Sequence, residues 1–346
     1  MNNGMVGRAC LALLLGLSVA VCNWPGQGAG TGQAKPGNAL AVLSAVPLKL
    51  PRLLSGQSCP LSKLSRIDPQ IGTVLGAGPV YVKNVEFIQS DQQHPWKVAW
   101  VADPSYSGPI RIRGGRIDGS GKLLFGGGHH IGALVKTVEG TDLYPDLLLI
   151  ADVISSPAPP RWREWASFSY IATPGCYAWQ VDGLGFTELI TIQTLQLPEL
   201  SQHVACPVSP QRIAHDLSPE FGYGPAVGVG PIYALMGDTQ AGVLKFSQST
   251  SNGWAYSKVL WMAKPVVSGR VLIRGRQIDG PIDGPNVIGF GMSTIPESAL
   301  QWDIASQAGW ASLPSEIRFR APGCYAYQVD SRQGSEAIIF QVVGTQ

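Results

Sequence analysis

The chain has 346 residues, with 25 Lys and Arg against 23 Asp and Glu and a formal net charge of +2. That balance leaves no electrostatic footprint for nucleic acid, whose binders cluster their Lys and Arg, so no nucleic-acid partner is expected. Only 14% of the residues are charged, while 42 are Gly and 27 are Pro, a composition that points to short strands and turns rather than long helices.

The first element is an address. Arg8 is the only charged side chain ahead of the apolar run ACLALLLGLSVAV at residues 9–21. The run is too short for a permanent membrane span, which needs about 20 apolar residues, and residues 1–22 read as an export signal. Cys22 follows directly, where a bacterial lipoprotein carries its lipidated cysteine. The preceding Val19-Ala20-Val21 resembles a lipobox at its first two positions, but Val21 stands where such a box has Gly, Ala or Ser. Three outcomes stay open at Cys22: a lipid anchor, release after cleavage further on, or a plain apolar residue of the signal. A lipid anchor is the one membrane association expected. Residues 23–56 read as a flexible tether.

Beyond the tether the chain repeats itself. PGCYAWQVDG at residues 174–183 returns as PGCYAYQVD at 322–330. GPVY (78–81), KVAWVADP (97–104) and GPIRIRGGRIDG (108–119) return in the same order as GPIY (230–233), KVLWMAKP (258–265) and GRVLIRGRQIDG (269–280). Cys59 and Cys206 each open a Cys-Pro pair, and the intervals to Cys176 and Cys324 are 117 and 118 residues. The domains are expected at 57–196 and 204–346. Four cysteines permit three connectivities. A unit that arose by copying carries its own staple, which selects Cys59 with Cys176 and Cys206 with Cys324, in an oxidising compartment. A four-cysteine metal site lacks the close CxxC pairs that zinc usually takes.

Within each copy the hydrophobic period is two. Ile110 and Ile112 face one way and Arg111 and Arg113 the other; Val271 and Ile273 repeat this, and Trp96, Val98 and Trp100 share a face. Asp118-Gly119 and Asp279-Gly280 supply the positive φ of tight hairpins. Each Pro-Gly launches the cysteine-bearing strand, which pairs with the last strand, FTELITIQTL (186–195) or EAIIFQVV (336–343). Arg113 and Arg274, at strand ends beside Gly, are expected to bond the loop carboxylates Asp118 and Asp279. The fold class is all-β: two tandem immunoglobulin-like antiparallel sandwiches. The Pro-Gly-x-Tyr turn resembles that of immunoglobulin-like bacterial surface domains. More narrowly, the PGCYxxQVD and IRGxxIDG motifs resemble uncharacterised secreted proteins of soil bacteria with one or two such units. The resemblance implies a sandwich and export, and it brings no activity with it.

No catalytic, cofactor or metal residue is expected. GxSxG and HExxH are missing, the Gly-rich FGGGHH lacks the Lys of a P-loop, and the four cysteines are committed to bridges. His129 and His130, adjacent on a strand, point to opposite faces; His94, His203 and His215 have no counterpart in the other copy. Asp279, Asp283 and Asn286 share a loop, but their spacing does not fit an EF-type calcium loop. Trp162, Trp165, Trp302 and Trp310 read as flanking loops, where aromatic faces can stack on a surface glycan or anchor a protein. The expected role is non-catalytic binding or envelope structure, with a carbohydrate-binding module and an envelope hydrolase as alternatives. A groove between the domains would lie at residues 196–204.

Overall fold

A computed structural model describes residues 36–150, 161–201, 204–236, 239–240, 242–246, 253–280, 288–291 and 296–344. The expected signal, Cys22 and the tether as far as residue 35 lie outside the described residues, as do His203, Asp283 and Asn286. Among the described residues almost all regular structure is β, and no helix is long and apolar enough to cross a membrane.

The first half builds two sheets and a separate hairpin. One sheet orders β1 (Leu64–Asp68), β2 (Gly72–Leu75), β3 (Val80–Lys83), β4 (Trp96–Ala102), β10 (Arg163–Ile171) and β6 (Leu123–Gly126). The other orders β12 (Phe186–Thr194), β11 (Gly175–Gly183), β5 (Ile110–Arg116) and β9 (Asp146–Leu149), and the hairpin joins β7 (Lys136–Val138) to β8 (Thr141–Leu143). In the second half one sheet runs β13 (Gln211–Ile213), β14 (Pro225–Val227), β15 (Ile232–Met236), β18 (Ala255–Ala263), β22 (Ala311–Phe319) and β20 (Gly289–Phe290). Its partner runs β16 (Thr239–Gln240), β17 (Val243–Phe246), β24 (Gly334–Gly344), β23 (Gly323–Ser331), β19 (Gly269–Gln277) and β21 (Ala299–Ile304). The order β12-β11-β5-β9 is matched strand for strand by β24-β23-β19-β21, and the first sheet of each half matches in the same way. Among the described residues every strand pairing is antiparallel except β17 on β24.

Alternation explains the packing. Val98, Trp100 and Ala102 of β4, Ile110 and Ile112 of β5, and Tyr177, Trp179 and Val181 of β11 enter one core. Val259, Trp261 and Ala263, Val271 and Ile273, and Tyr325, Tyr327 and Val329 enter the other. Trp100 meets Trp179 edge-on at 6.0 Å, as Trp261 meets Tyr327 at 4.9 Å. The polar end of each strand-β4-type Trp is satisfied alike, since the indole nitrogens donate to Ser167 and Ser315 at 2.9 Å.

The repeated nine residues each have a task. Cys176 and Cys324 are bonded to Cys59 and Cys206. Tyr177 and Tyr325 donate their hydroxyls to the carbonyls four residues back, at Thr173 (3.0 Å) and Ala321 (2.8 Å), fixing the turn that opens the strand. The buried Asp182 carboxylate accepts from Arg113 (2.6 Å), Gln180 (2.9 Å) and Thr187 (2.8 Å). Asp330 accepts from Arg274 (2.9 Å), Gln328 (2.8 Å) and Ser335 (2.6 Å). Each PGCYxxQVD thus holds a staple, a turn, a core aromatic and a saturated buried charge.

Several expectations are corrected. Arg113 and Arg274 bond Asp182 and Asp330, not Asp118 and Asp279. Cross-strand register decides this: Gln180 lies opposite Arg113, so Asp182 is its same-face diagonal neighbour. Asp118 instead pairs with Arg116 (2.6 Å), and Asp279 accepts the Cys324 amide (2.8 Å). Gly119 has no positive φ; a wider loop lets the Arg116 amide reach Gly121 (3.0 Å). Trp165 and Trp302 sit inside β10 and β21, and Trp302 is part of the second core.

The stretch read as tether also differs from residue 36 on. It forms helix α1 (Pro36–Ala45), buries Leu43, and lies along the outer face of β11 and β5. Gln180 accepts the Lys49 amide (2.6 Å) and donates to Pro47 (2.9 Å), while Arg111 donates to Leu43 and Ser44 (3.2 and 3.3 Å). This cover is itself a repeat. LKLPRL at 48–53 matches LQLPEL at 195–200, and the Leu53 and Leu200 amides both reach carbonyls at 2.7 Å, those of Ile117 and Ile278.

Candidate functional site

Strands β19 and β21 of the second sandwich make the junction with the first, and the second cover segment runs beside it. Arg274, 1% exposed, reaches out of its own domain: its guanidinium donates to Val85 (2.8 Å), Ile88 (3.1 Å) and Gln193 (2.8 Å) as well as to Asp330. Arg270 donates to Leu61 (2.7 Å), and Gln301 accepts the Leu64 amide (2.8 Å). Leu272 and Ala299 bury themselves among the core residues of the first sandwich.

Beside this junction lies a cleft of about 560 Å³ lined by residues 89–93 and 196–199. One wall follows a single 3-10 turn at Val85–Phe87. Asp91 organises it: Oδ1 accepts the amides of Gln93 (2.6 Å) and His94 (3.2 Å), and Oδ2 lies 3.0 Å from His94 Nδ1. The other wall is the cover segment, held by Leu197 and Leu200 packed on Ile278, Cys324 and Ala326.

Charged groups from four separate segments meet here. Glu139 Oε1 is 3.2 Å from His94 Nε2. Glu139 has φ +47 in the two-residue turn with Gly140 (φ +74) that closes the β7–β8 hairpin, a place where Asn or Asp is the usual first residue. Glu199 lies 3.6 Å from the Arg276 guanidinium, which also donates to Gln89 (3.4 Å) and stacks on Trp96 (5.1 Å). One oxygen each of Asp91 and Glu199 and one ring nitrogen of His94 lie within 4.8 Å of one another. Burial alone would lower the His94 pKa, but the Asp91 hydrogen bond and the charges of Asp91, Glu139 and Glu199 hold it above the ordinary imidazole value. Burial lowers the Arg276 pKa against the pull of Glu199.

The other sequence candidates do not converge on this cleft. His129 is exposed, with its backbone bridged to Leu148, while His130 stacks on Tyr144 at 3.9 Å. His215 stacks under Tyr223 at 4.3 Å. Trp162 leans on Tyr81, Trp165 lies under Arg163, and Trp310 meets Phe221 and Tyr233. Among the described residues the well-exposed aromatics are Tyr223 (76%) and Tyr256 (49%). Asp91, Glu139, Glu199 and Arg276 were not singled out by the sequence. A partial signal existed: Arg276 and Glu199 stand where the first copy has Gly115 and Arg52, so they are not needed for the unit to fold.

No protein-family model matches the chain, and no curated protein matches it. Solved structures give loose superpositions. A protein described as a lipoprotein of Bacillus anthracis is 13% identical over 41% of this chain and 88% of its own, with a TM-score of 0.28. The Yersinia pseudotuberculosis adhesin InvE is 10% identical over 74% and 56%, with a TM-score of 0.20. Tandem immunoglobulin domains A164-A165 of titin are 8% identical over 74% and 91%, with a TM-score of 0.18. The fold of this chain rests on its own strand pairing.

Proposed function

We propose that the protein is exported, anchored at the cell surface or released, and acts there without catalysis as a binding or envelope component through the junction cleft. The observation that carries this is the construction of the cleft: one wall is segment 89–93 of the first sandwich, the other is the cover segment 196–199 packed on the second, and the two sandwiches, each tied by its own disulfide, are joined through the buried Arg274. A binding site whose walls are held by hydrogen bonds and packing before contact needs less reordering on binding. Gln89, Gln92, Gln93 and Gln196 give the lining paired donors and acceptors, which suits a polyhydroxylated ligand such as a surface glycan. Two disulfides fit an oxidising compartment.

Cell fractionation with intact-mass measurement tests the location; a reduced protein in the cytosol overturns it. A glycan array with Gln92→Ala and Gln196→Ala tests the ligand class, and silence of the parent protein across polysaccharides removes glycans. One observation favours a hydrolase instead, namely that Asp91 and Glu199 share the cleft. Cleavage of envelope polymers that vanishes in Asp91→Asn and Glu199→Gln would establish that reading.

A further inference from the structure

We propose that Asp91, His94 and Glu199 form a divalent metal site of the zinc class at the mouth of the junction cleft, with Glu139 as the positioning residue behind His94. The reading of the cleft as a contact site is its background, but the metal site stands on its own donors.

The donor set is an imidazole nitrogen and two carboxylate oxygens, a combination that zinc takes with one further position left open. The geometry assigns the ligating nitrogen to Nδ1, which already faces Asp91 Oδ2 at 3.0 Å. Zinc bonds to nitrogen and carboxylate oxygen of roughly 2.0–2.2 Å place tetrahedral ligands about 3.3 Å apart, so this pair needs to open by only a few tenths of an ångström. Glu199 has 39% of its side chain exposed and, paired with Arg276 at 3.6 Å, already holds an oxygen within 4.8 Å of the other two donors. Nε2 is held at 3.2 Å by Glu139, the carboxylate–histidine–metal arrangement that orients a ligand ring from behind.

Two independent observations point to a ligand there. Ser90, 2% exposed and next in sequence to Asp91, lines the same cleft, and its Oγ has no hydrogen-bond partner, a buried polar group left for a ligand in the cleft to satisfy. Charge is the second. Asp91, Glu139 and Glu199 against Arg276 leave a deficit of two positive charges with a neutral His94, which a divalent ion fills. The site is absent from the first copy's own cover segment, where Arg52 stands in place of Glu199, so it serves the junction and not the folding of a unit.

The test uses the full exported chain with both disulfides intact, stripped with EDTA and titrated calorimetrically with zinc, manganese and calcium chlorides. The expected result is saturable binding of one zinc per chain, weaker binding of the other two, and a zinc-dependent rise in Tm. His94→Gln and Glu199→Gln lose the binding and the zinc-dependent rise in Tm, while each still unfolds cooperatively in EDTA. Glu139→Gln weakens the binding roughly 10–100-fold with the parent Tm in EDTA, a split that a merely structural role would not give. His129→Gln leaves it intact. No saturable zinc binding, or binding unaffected by His94→Gln and Glu199→Gln, overturns the site. Glycan binding measured in EDTA reports on the cleft separately, so the two readings fail independently.

Discussion

Replacing Arg274 by Leu isolates what joins the two sandwiches. The side chain makes four hydrogen bonds, one to Asp330 in its own domain and three to carbonyls of the first. Breaking a buried ion pair costs about 3–5 kcal/mol, although Asp330 keeps Gln328 and Ser335, which favours the lower end. The three carbonyls lose charge-assisted bonds of about 1.5–3 kcal/mol each, part of which water recovers. Arg113→Leu provides the comparison, because Arg113 has the same pair with Asp182 but reaches no carbonyl of another domain. The expected losses are about 5 kcal/mol for Arg274→Leu and about 3 for Arg113→Leu. Guanidinium unfolding of the oxidised protein, followed by Trp fluorescence, measures both; with a slope near 5 kcal/mol per M the midpoints fall by about 1.0 and 0.6 M. Limited proteolysis should then cut the Arg274 variant near residue 201 and spare the Arg113 variant. Equal losses for the two, or a loss under about 1 kcal/mol for Arg274→Leu, would refute the account of the junction.

Removing Cys59 and Cys176 together should destabilise the first sandwich by about 5 kcal/mol, the chain-entropy value for a loop of 117 residues, and peptide mapping without reductant should link Cys59 to Cys176 in the parent. Burial raises Glu86 to about 7 from 4.5, with Arg274 and Lys83 pulling the other way. A raised carboxyl pKa gives stability that is fully present below pH 4.5 and is lost as pH rises through 7, about 3 kcal/mol for this group. Burial raises Glu188 and Glu336 to about 7 as well, adding smaller terms of the same sign because both are partly exposed. Tm measured from pH 5 to pH 8 should therefore fall, and the fall should shrink in Glu86→Gln; a curve flat for both proteins contradicts the burial argument. Leu272→Arg restores the first-copy residue, buries an unpaired charge among first-domain core residues, and should open the junction to protease while each sandwich stays folded.

The sandwich was legible because it is written twice. Two copies of PGCY, each opening a strand, and of IRGxxIDG, each closing a period-two strand, mark Ile110, Ile112, Val271 and Ile273 as core residues. Bonding partners were less legible. Arg113 has Asp118 nearby in sequence and Asp182 nearby only across β5 and β11, and register belongs to the sheet, not to the string. LQLPEL was hidden for a different reason: after FTELITIQT it reads as more of the same strand, and its match LKLPRL lies in a stretch that looks like linker. The cluster at the cleft was invisible because its members come from four separate segments and none is repeated. A repeat search finds what both copies need, so a property of the junction escapes it by construction.

That blindness shows how a copied unit becomes a joined pair. Strand β5 and strand β19 share Ile-Arg-Gly and the inward residues, and they differ on the outward face, Arg111 against Leu272 and Gly115 against Arg276. In the first copy that face is met by α1 and the carbonyls of Leu43 and Ser44, which suit Arg111. In the second it is met by the Val85–Phe87 turn, the Gln193 carbonyl and the first core, which suit an apolar Leu272 and a guanidinium at Arg276. Both faces need a cover, since Gln180 and Gln328 are buried and each gives an amide proton to a carbonyl of the covering chain, Pro47 or Gln193. What distinguishes the two ends of the molecule is therefore not the fold of the unit but what covers it. Among the described residues, a cleft with converging charges lies where the cover is another folded unit.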